Sequence, residues 1–269
     1  MTTFICTTCG TSYPPSDRPP AHCLICEDER QYVPASGQSW TTPDRLQARH
    51  TNAWRRHEKG LFGLHTTPAF AIDQRAFLLQ TEVGNILWDC IALIDDATVD
   101  LVRALGGLSA IAISHPHYYT RMQDWSRAFG GIPIHLHAAD QEWIMRPVLE
   151  IQLWEGDILE IGPGVTLISL GGHFAGGTVL HWAGTEDGAG ALLSGDIIQV
   201  ASDVRRVSFL WSYPNMMPLP AREVVRIGEA LAPWQFDRIY GAFLGKEVAY
   251  DAKQVLAKSI SRYVELLNG

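Results

Sequence analysis

The stretch LSAIAISHPH, residues 108–117, joins a continuous apolar run to two histidines that are separated by one residue. A short run without polar alternation is typical of a strand that is buried on both faces of a parallel sheet. Pro116 has a fixed backbone and favours an extended conformation at His115. We therefore expect a buried strand that ends near His115 and His117, with both imidazole rings facing one crevice.

The same pattern occurs twice more along the chain. The apolar run 165–170 is followed by a Gly-Gly pair and His173, and the run 189–193 by a Ser-Gly pair and Asp196. Strand ends can direct side chains into a shared crevice while the sheet holds them rigid. Three neutral imidazoles leave a tetrahedral Zn2+ one open position for water, which is the arrangement of a catalytic site. The pattern predicts metal ligation by His115, His117 and His173. It gives Asp196 a mixed role as weak ligand, water-orienting residue and proton acceptor.

The order of these motifs resembles the metallo-β-lactamase fold of metal-dependent hydrolases over roughly residues 65–245. The family's first motif is H-x-H-x-D-H, and the chain reads HPHYYT at 115–120. The family's second motif is similar to GHFAGGT at 172–178, and its bridging aspartate corresponds to Asp196. The resemblance implies an α/β protein built as an αββα sandwich, which also agrees with two groups of strands flanked by helices.

Three positions depart from the family pattern. Tyr119 stands where the aspartate of a second metal site is expected, Thr120 where a second-site histidine can stand, and Phe243 where the final histidine is expected. The three-histidine set is intact, whereas the second set keeps only Asp196. We therefore expect one metal ion, zinc, in the crevice.

Four of the five cysteines form two C-x2-C pairs separated by 13 residues: Cys6, Cys9, Cys23 and Cys26. Four thiolates close a tetrahedron around one ion and leave no room for water, so the predicted site is structural. The alternative, two redox pairs, lacks the βαβ context in which such pairs usually occur. The module resembles zinc ribbons and rubredoxins equally well, and thiolates bind zinc and iron alike. Cys90 is interpreted as a small buried hydrophobic residue.

Length and composition place the chain among ordinary globular proteins. Its 269 residues are 46% hydrophobic and 19% charged, enough for one large domain and a small module. The net charge of −8 argues against a nucleic-acid partner. The sequence shows neither a secretory signal nor an apolar run of the ~18–20 residues that cross a bilayer. We expect a cytoplasmic protein that binds a small-molecule substrate and neither nucleic acid nor membrane.

The expected organisation has three parts. Residues 1–35 form the tetracysteine module, residues 36–66 a linker and helix, and residues 67–269 the metallo-β-lactamase-like domain. Thr-Thr-Pro at 41–43 predicts the start of a helix that continues to about His57. Its basic residues are interpreted as a solvated helix face.

Several aromatic residues near the ligands are candidates for further roles. The Tyr118 hydroxyl could stabilise a developing oxyanion and is a candidate catalytic group. Tyr119 could do the same, but we favour a ring that fills the lost second site. The loop 208–218 is rich in aromatic residues and methionine, which suits the substrate crevice or packing against the cysteine module or a second subunit of a homodimer. The candidate substrate-pocket residues are Tyr119, Phe209, Trp211, Tyr213 and Phe243.

The sequence thus predicts a single-metal hydrolase in which metal-bound hydroxide attacks an ester, thioester, lactam or similar carbonyl. One alternative is a degenerate member of the fold that binds metal or a small ligand without turnover, since second-site positions are lost. Another is a redox protein that uses the rubredoxin-like module.

Overall fold

The computed structural model describes all 269 residues and contains six α-helices and nineteen strands. The helices are α1 Leu24–Glu27, α2 Pro43–Gln47, α3 Asp96–Ala104, α4 Met122–Ala128, α5 Ala221–Leu231 and α6 Ala252–Asn268. The strands are β1 Ile5–Cys6, β2 Trp40–Thr41, β3 Thr51–Glu58, β4 Leu61–Thr67, β5 Arg75–Leu79, β6 Ile86–Trp88, β7 Ala110–Ala112, β8 Ile134–His137, β9 Ile151–Trp154, β10 Ile158–Gly162, β11 Val165–Ser169, β12 Thr178–Trp182, β13 Ala191–Gly195, β14 Gln199–Val200, β15 Val207–Ser208, β16 Leu210–Ser212, β17 Met217–Pro218, β18 Arg238–Gly241 and β19 Glu247–Val248. Two 3₁₀ helices cover Pro116–Tyr118 and Ala138–Trp143.

Two large sheets carry the fold. The first has the order β3-β4-β5-β6-β7-β8-β9 and the second the order β10-β11-β12-β13-β18-β19. In the first sheet the pairing is antiparallel as far as β6 and parallel from β6 to β9. In the second sheet only the β13–β18 pair is parallel. Each sheet therefore has parallel strands whose carboxyl ends meet at one edge.

Alternating residues divide the apolar core into three layers. Phe77 and Trp88 of the first sheet face Leu180 and Trp182 of the second in one buried cluster. The opposite face of the first sheet packs on α3 and α4 through a cluster that includes Leu78, Leu87, Val102, Ile111 and Trp125. The outer face of the second sheet packs on α5 and α6 through a cluster that includes Leu192, Val224, Ile227, Ile239 and Leu256. Two sheets between two helical layers form the αββα sandwich, so the fold prediction is confirmed.

The cysteine module contacts segments that follow β7 and β8 of the first sheet. Its strand β1 pairs antiparallel with β2, which lies in segment 36–66. The Ser12 backbone N–H and side-chain hydroxyl both donate to the Thr120 carbonyl at 2.9 Å. Arg146 donates to the Ser12 hydroxyl oxygen at 2.9 Å and forms an ion pair with Asp124. These bonds fix the module beside the loop that follows His117.

The predicted helix from residue 41 to about His57 is wrong beyond its first turns. Thr42 caps α2 through the Arg45 backbone N–H at 3.4 Å, but the helix ends at Gln47. Residues Thr51–Glu58 instead form β3, which pairs with β4 along its length. Exposed charges on an edge strand protect it from pairing with other chains, which explains the basic residues assigned to a helix face. Segment 36–66 thus supplies β3 and most of β4 to the large sheet.

No helix of this protein combines the length and apolarity that crossing a membrane requires.

Candidate metal centre

The four predicted ligands come from loops that follow strands of both sheets. His115 and His117 follow β7, His173 follows β11, and Asp196 comes directly after β13. Gly195 has a φ of +51°, and a Cβ there would lie 2.5 Å from the Ser114 hydroxyl oxygen. Glycine therefore allows the end of β13 to approach the end of β7. This close approach brings ligands from the two sheets to one end of the sandwich.

The side chains of His115, His117, His173 and Asp196 converge, and their candidate ligand atoms all lie within 4.8 Å of one another. His173 Nε2 is 3.4 Å from His117 Nδ1, and His115 Nε2 is 3.5 Å from Asp196 Oδ2. Three nitrogens and one carboxylate oxygen at these separations surround a space of the size that one first-row metal ion needs.

Hydrogen bonds orient two of the imidazoles. His173 Nδ1–H donates to the Trp211 carbonyl oxygen at 2.7 Å. His115 Nδ1 shares a 2.9 Å hydrogen bond with the Ser114 hydroxyl. Both contacts leave Nε2 facing the cluster, and such partners fix the ring and the tautomer of a metal-binding histidine.

The burial of the ligand atoms, and their lack of hydrogen-bond partners, test whether these residues fit a metal cation. His115 Nε2, His117 Nε2 and Asp196 Oδ1 are buried without a hydrogen-bond partner, and an orphaned buried polar atom costs about 1–3 kcal/mol. Burial lowers the pKa of His115 and His173 to about 3 and that of His117 well below its usual range. Burial also raises the pKa of Asp196 to about 6. Neutral imidazoles with free lone pairs beside a carboxylate are the donor set of a transition-metal site, so the residues fit a metal ion.

The aromatic residues after His117 are packed into the core. Tyr118 is fully buried and its hydroxyl donates to the Ala242 carbonyl oxygen at 3.2 Å. The Tyr118 ring also lies edge-on to His115, with centroids 5.2 Å apart, and its oxyanion role stays a prediction. The Tyr119 ring lies in the same apolar cluster, and Phe243 packs against this cluster. The two positions lost from the second metal site are therefore occupied by packed rings.

The loop after β15 supports the ligands instead of forming an open pocket. The Tyr213 hydroxyl donates to the Asp196 carbonyl oxygen at 2.5 Å, and its ring lies edge-on to His173 with centroids 5.2 Å apart. Trp211 supplies the carbonyl that holds His173. Phe209 is a correction: it is fully buried in the core beside Tyr263 and is not a pocket residue.

Three residues with direct roles at this site carried no sequence signal that singled them out. Ser114 orients His115. The Phe174 ring contacts all three imidazole rings at centroid distances of 5.0–5.5 Å. The Gln74 side-chain amide donates to the carbonyl oxygens of Cys9, at 3.3 Å, and His117, at 3.4 Å. Gln74 thus links the backbones of the two candidate metal sites.

The four cysteine sulfurs form a second cluster with ligand atoms within 4.8 Å of one another. Cys6 Sγ lies 3.6 Å from Cys26 Sγ, and Cys9 Sγ lies 3.6 Å from Cys23 Sγ. A tetrahedron with bonds of about 2.3 Å has edges of about 3.8 Å, so the spacing suits one tetrathiolate ion. The Gln38 side-chain amide, at 3.1 Å, and the Thr8 backbone N–H, at 3.4 Å, both donate to Cys6 Sγ, which favours the thiolate. The fifth cysteine, Cys90, is buried apart from this cluster among apolar residues, as expected.

Comparison with solved structures identifies the class of fold. A B3 metallo-β-lactamase with an active-site glutamic acid is similar with a TM-score of 0.54 and 13% identity, over 90% of this chain and 99% of that protein. The DIM-1 metallo-β-lactamase is similar with a TM-score of 0.60 and 13% identity, over 80% of this chain and 98% of that protein. A metallo-β-lactamase with a HARLDQ motif from Cronobacter sakazakii gives 0.52 and 17%, over 83% and 96%. The protein has the metallo-β-lactamase fold with an added N-terminal cysteine cluster.

A protein of Bacillus subtilis (strain 168), YmaE, described as uncharacterized, is 46% identical to this chain over 270 residues. The match covers 100% of this chain and 98% of YmaE. The chain therefore belongs to the YmaE family. No family model matches the chain.

Proposed function

We propose that this protein is a hydrolase that uses one metal ion, zinc, to cleave an ester, thioester, lactam or similar carbonyl bond in a small molecule. The observation that carries the proposal is the convergence of buried ligand atoms from His115, His117, His173 and Asp196, among which His115 Nε2 and Asp196 Oδ1 have no hydrogen-bond partner. The metallo-β-lactamase fold supports the reaction class, and the packed rings of Tyr119 and Phe243 favour one ion over two.

When bound, a divalent ion lowers the pKa of a coordinated water to about 7 and polarises a carbonyl oxygen. The protein's own groups orient the ligands and accept the proton. Ser114 and the Trp211 carbonyl hold His115 and His173 in orientation. Asp196 has one carboxylate oxygen without a protein partner, and this oxygen can accept the proton of the attacking water. The Tyr213 hydroxyl fixes the backbone of Asp196 and so the position of this carboxylate.

The burial of the ligands favours a second candidate function, binding of a metal or small ligand without turnover. His173 and His115 are only 0% and 1% exposed, and none of the four ligands lines any of five surface cavities of about 220–650 Å3. In a hydrolase, ligands buried to this degree favour a conformational step that admits the substrate.

Metal analysis of the purified protein, combined with a panel of chromogenic esters, thioesters and lactams, tests the proposal. We expect hydrolysis of at least one class by the wild type and none by His115→Ala. Metal at the histidine site without hydrolysis of any class supports the binding function and contradicts the hydrolase.

A further inference from the structure

One arginine of the cysteine module lies over the aromatic ring that contacts the histidines of the site. Arg30 is 8% exposed, and its guanidinium carbon lies 3.8 Å from the centroid of the Phe174 ring. The same guanidinium lies 4.6 Å from the Trp211 ring and 5.2 Å from the Trp143 ring. Phe174 in turn contacts the three imidazoles of the site. Arg30 therefore lies next to the histidine site, packed on the ring that the histidines share.

Arg30 belongs to a short turn, residues 28–31, in which the Gln31 backbone N–H donates to the Asp28 carbonyl at 2.9 Å. Asp28 holds the guanidinium in a two-point ion pair, at 2.6 and 2.9 Å. Arg30 also donates to the His173 carbonyl oxygen at 3.4 Å. The turn therefore fixes the orientation in which the Arg30 guanidinium lies over the ring of Phe174.

Three hydrogen bonds of Glu29 also hold this turn to the main domain. The exposed Glu29 carboxylate accepts from the Trp211 indole N–H at 2.8 Å. The Glu29 carbonyl accepts from Ser212, at 2.5 Å, and Asn215, at 2.8 Å. The exposed bonds of Glu29 to Trp211 and Asn215 can break at low cost, so opening of the turn depends mainly on the contacts of the buried Arg30.

The body of the module is attached more firmly than the turn. Ser12, Arg146 and Gln74 bind its backbone or side chains to the loop after His117. The turn starts two residues after Cys26, which is one of the four clustered cysteines. An ion held by these cysteines therefore fixes the base from which the turn projects.

A cavity of about 330 Å3 lies at the seam between the module and the main domain. It is lined by Leu24, Glu27, Asp28, Glu142, Trp143 and Met145. Asp28 belongs to the turn, and Trp143 stacks with both Arg30 and Phe174. The cavity therefore lies beside the turn and beside a ring that contacts both Arg30 and Phe174.

We propose that the turn 28–31 is a movable cover of the histidine site, that Arg30 and Glu29 hold it closed, and that the ion of the four cysteines keeps it in register. Small molecules reach the histidine site only while this cover is open. The inference depends on the proposed metal site but not on turnover.

The test measures release of metal from cobalt-substituted protein. A thiolate-to-cobalt charge-transfer band counts the ion on the cysteines, and a metallochromic chelator counts all released cobalt, so the difference reports the histidine site. We expect Arg30→Ala to accelerate release from the histidine site roughly tenfold, because a desolvated cation–π contact and a hydrogen bond are lost. The control is Arg18→Ala, an exposed arginine of the same module, which should release cobalt at the wild-type rate.

Trp211→Phe keeps the ring under Arg30 but removes the N–H that binds Glu29, so it should also accelerate release, by a smaller factor. If Arg30→Ala lacks the charge-transfer band, its cysteines hold no cobalt. The release rate of Trp211→Phe then tests the cover in its place. Cys6→Ser should accelerate release by disordering the base of the turn. Wild-type rates in Arg30→Ala and Trp211→Phe would overturn the cover, and a wild-type rate in Cys6→Ser would overturn the coupling. A protein that takes up cobalt only on its cysteines would overturn the proposed metal site, and the cover with it.

Discussion

The His173 Nδ1–H donates a 2.7 Å hydrogen bond to the backbone carbonyl of Trp211, so the tautomer of this imidazole is set by the main chain. No side-chain substitution at residue 211 removes that acceptor. His115 differs, because its Nδ1 partner is a side chain, the hydroxyl of Ser114. The two imidazoles should therefore respond differently to substitutions around the site.

Ser114→Ala should weaken metal binding at the histidine site about 10–100-fold, the usual effect of losing a partner that orients a ligand. The variant adds no atoms near Gly195, so the fold should be unchanged. Competition with a chelator of known affinity measures the loss. Ser202→Ala, an exposed serine on the other side of β14, is the control. An unchanged affinity would show that Ser114 does not orient His115.

The chain should bind two metal ions, one at the histidines and one at the cysteines. Tyr119 and Phe243 stand at the sequence positions where ligands of a second ion are expected, and both rings pack with an apolar cluster. Native mass spectrometry counts the ions, and anomalous diffraction locates them. A third ion about 3.5–4 Å from the first would contradict the single-metal proposal.

A comparison of substitutions at Asp196 and His115 should separate the contribution to catalysis from the contribution to metal binding. Asp196→Ala should keep most of the metal but lose about 10²–10⁴ in turnover, the usual contribution of a positioned acid or base. His115→Ala should empty the site, because two imidazoles and a weak carboxylate hold zinc poorly. Metal content and turnover of a substrate found in the panel are measured on the same samples. If Asp196→Ala loses metal as completely as His115→Ala, the aspartate is a true ligand.

The strands that deliver the ligands were predictable because each is an apolar run that ends at a proline or glycine. The runs before His115, His173 and Asp196 became β7, β11 and β13. The period of such runs and the residues that end them are local properties of the sequence, so they can be read without the fold.

The cover and the edge strand could not be predicted in the same way. Arg30 and the His173 carbonyl are 143 residues apart, and Glu29 and Trp211 are 182 residues apart. Such contacts depend on how the module docks, which no local pattern records. The sequence of strand β3 predicts a helix because Thr-Thr-Pro starts one just before it, and charged residues suit an exposed helix and an edge strand equally.

Removal of the ion from the four cysteines should unfold residues 1–35 and leave the main domain folded. The module's own apolar cluster is small and consists mainly of the cysteines themselves with Tyr13 and Ile25, so it depends on its ion. Chelation followed by limited proteolysis should cut within the module and leave a resistant fragment from the main domain. An intact N-terminus after chelation would contradict this expectation.

A buried histidine far from the metal sites should make the protein acid-sensitive. The His57 side chain is 5% exposed, and burial and the nearby Arg75 guanidinium lower its pKa to about 4, although Glu247 at 3.9 Å opposes them. The ring also lies edge-on to Tyr240. The unfolded chain takes up the proton near pH 6.5, whereas the folded protein refuses it until about pH 4. The free energy of unfolding therefore falls as the pH drops from about 6.5 towards 4, and is unaffected by this group above that range.

His57→Phe should remove this acid sensitivity, because phenylalanine keeps the aromatic contacts and replaces a ring nitrogen that has no hydrogen-bond partner. Between pH 7.5 and 5 the free energy of unfolding should shift by about 1–2 kcal/mol in favour of the variant relative to the wild type. Urea unfolding of both proteins at the two pH values measures the shift, and taking their difference cancels groups that both proteins share. His22→Phe, at a side chain that is 71% exposed, is the control and should follow the wild type. Parallel pH profiles for His57→Phe and the wild type would show that His57 is protonated as readily in the folded protein as in the unfolded chain.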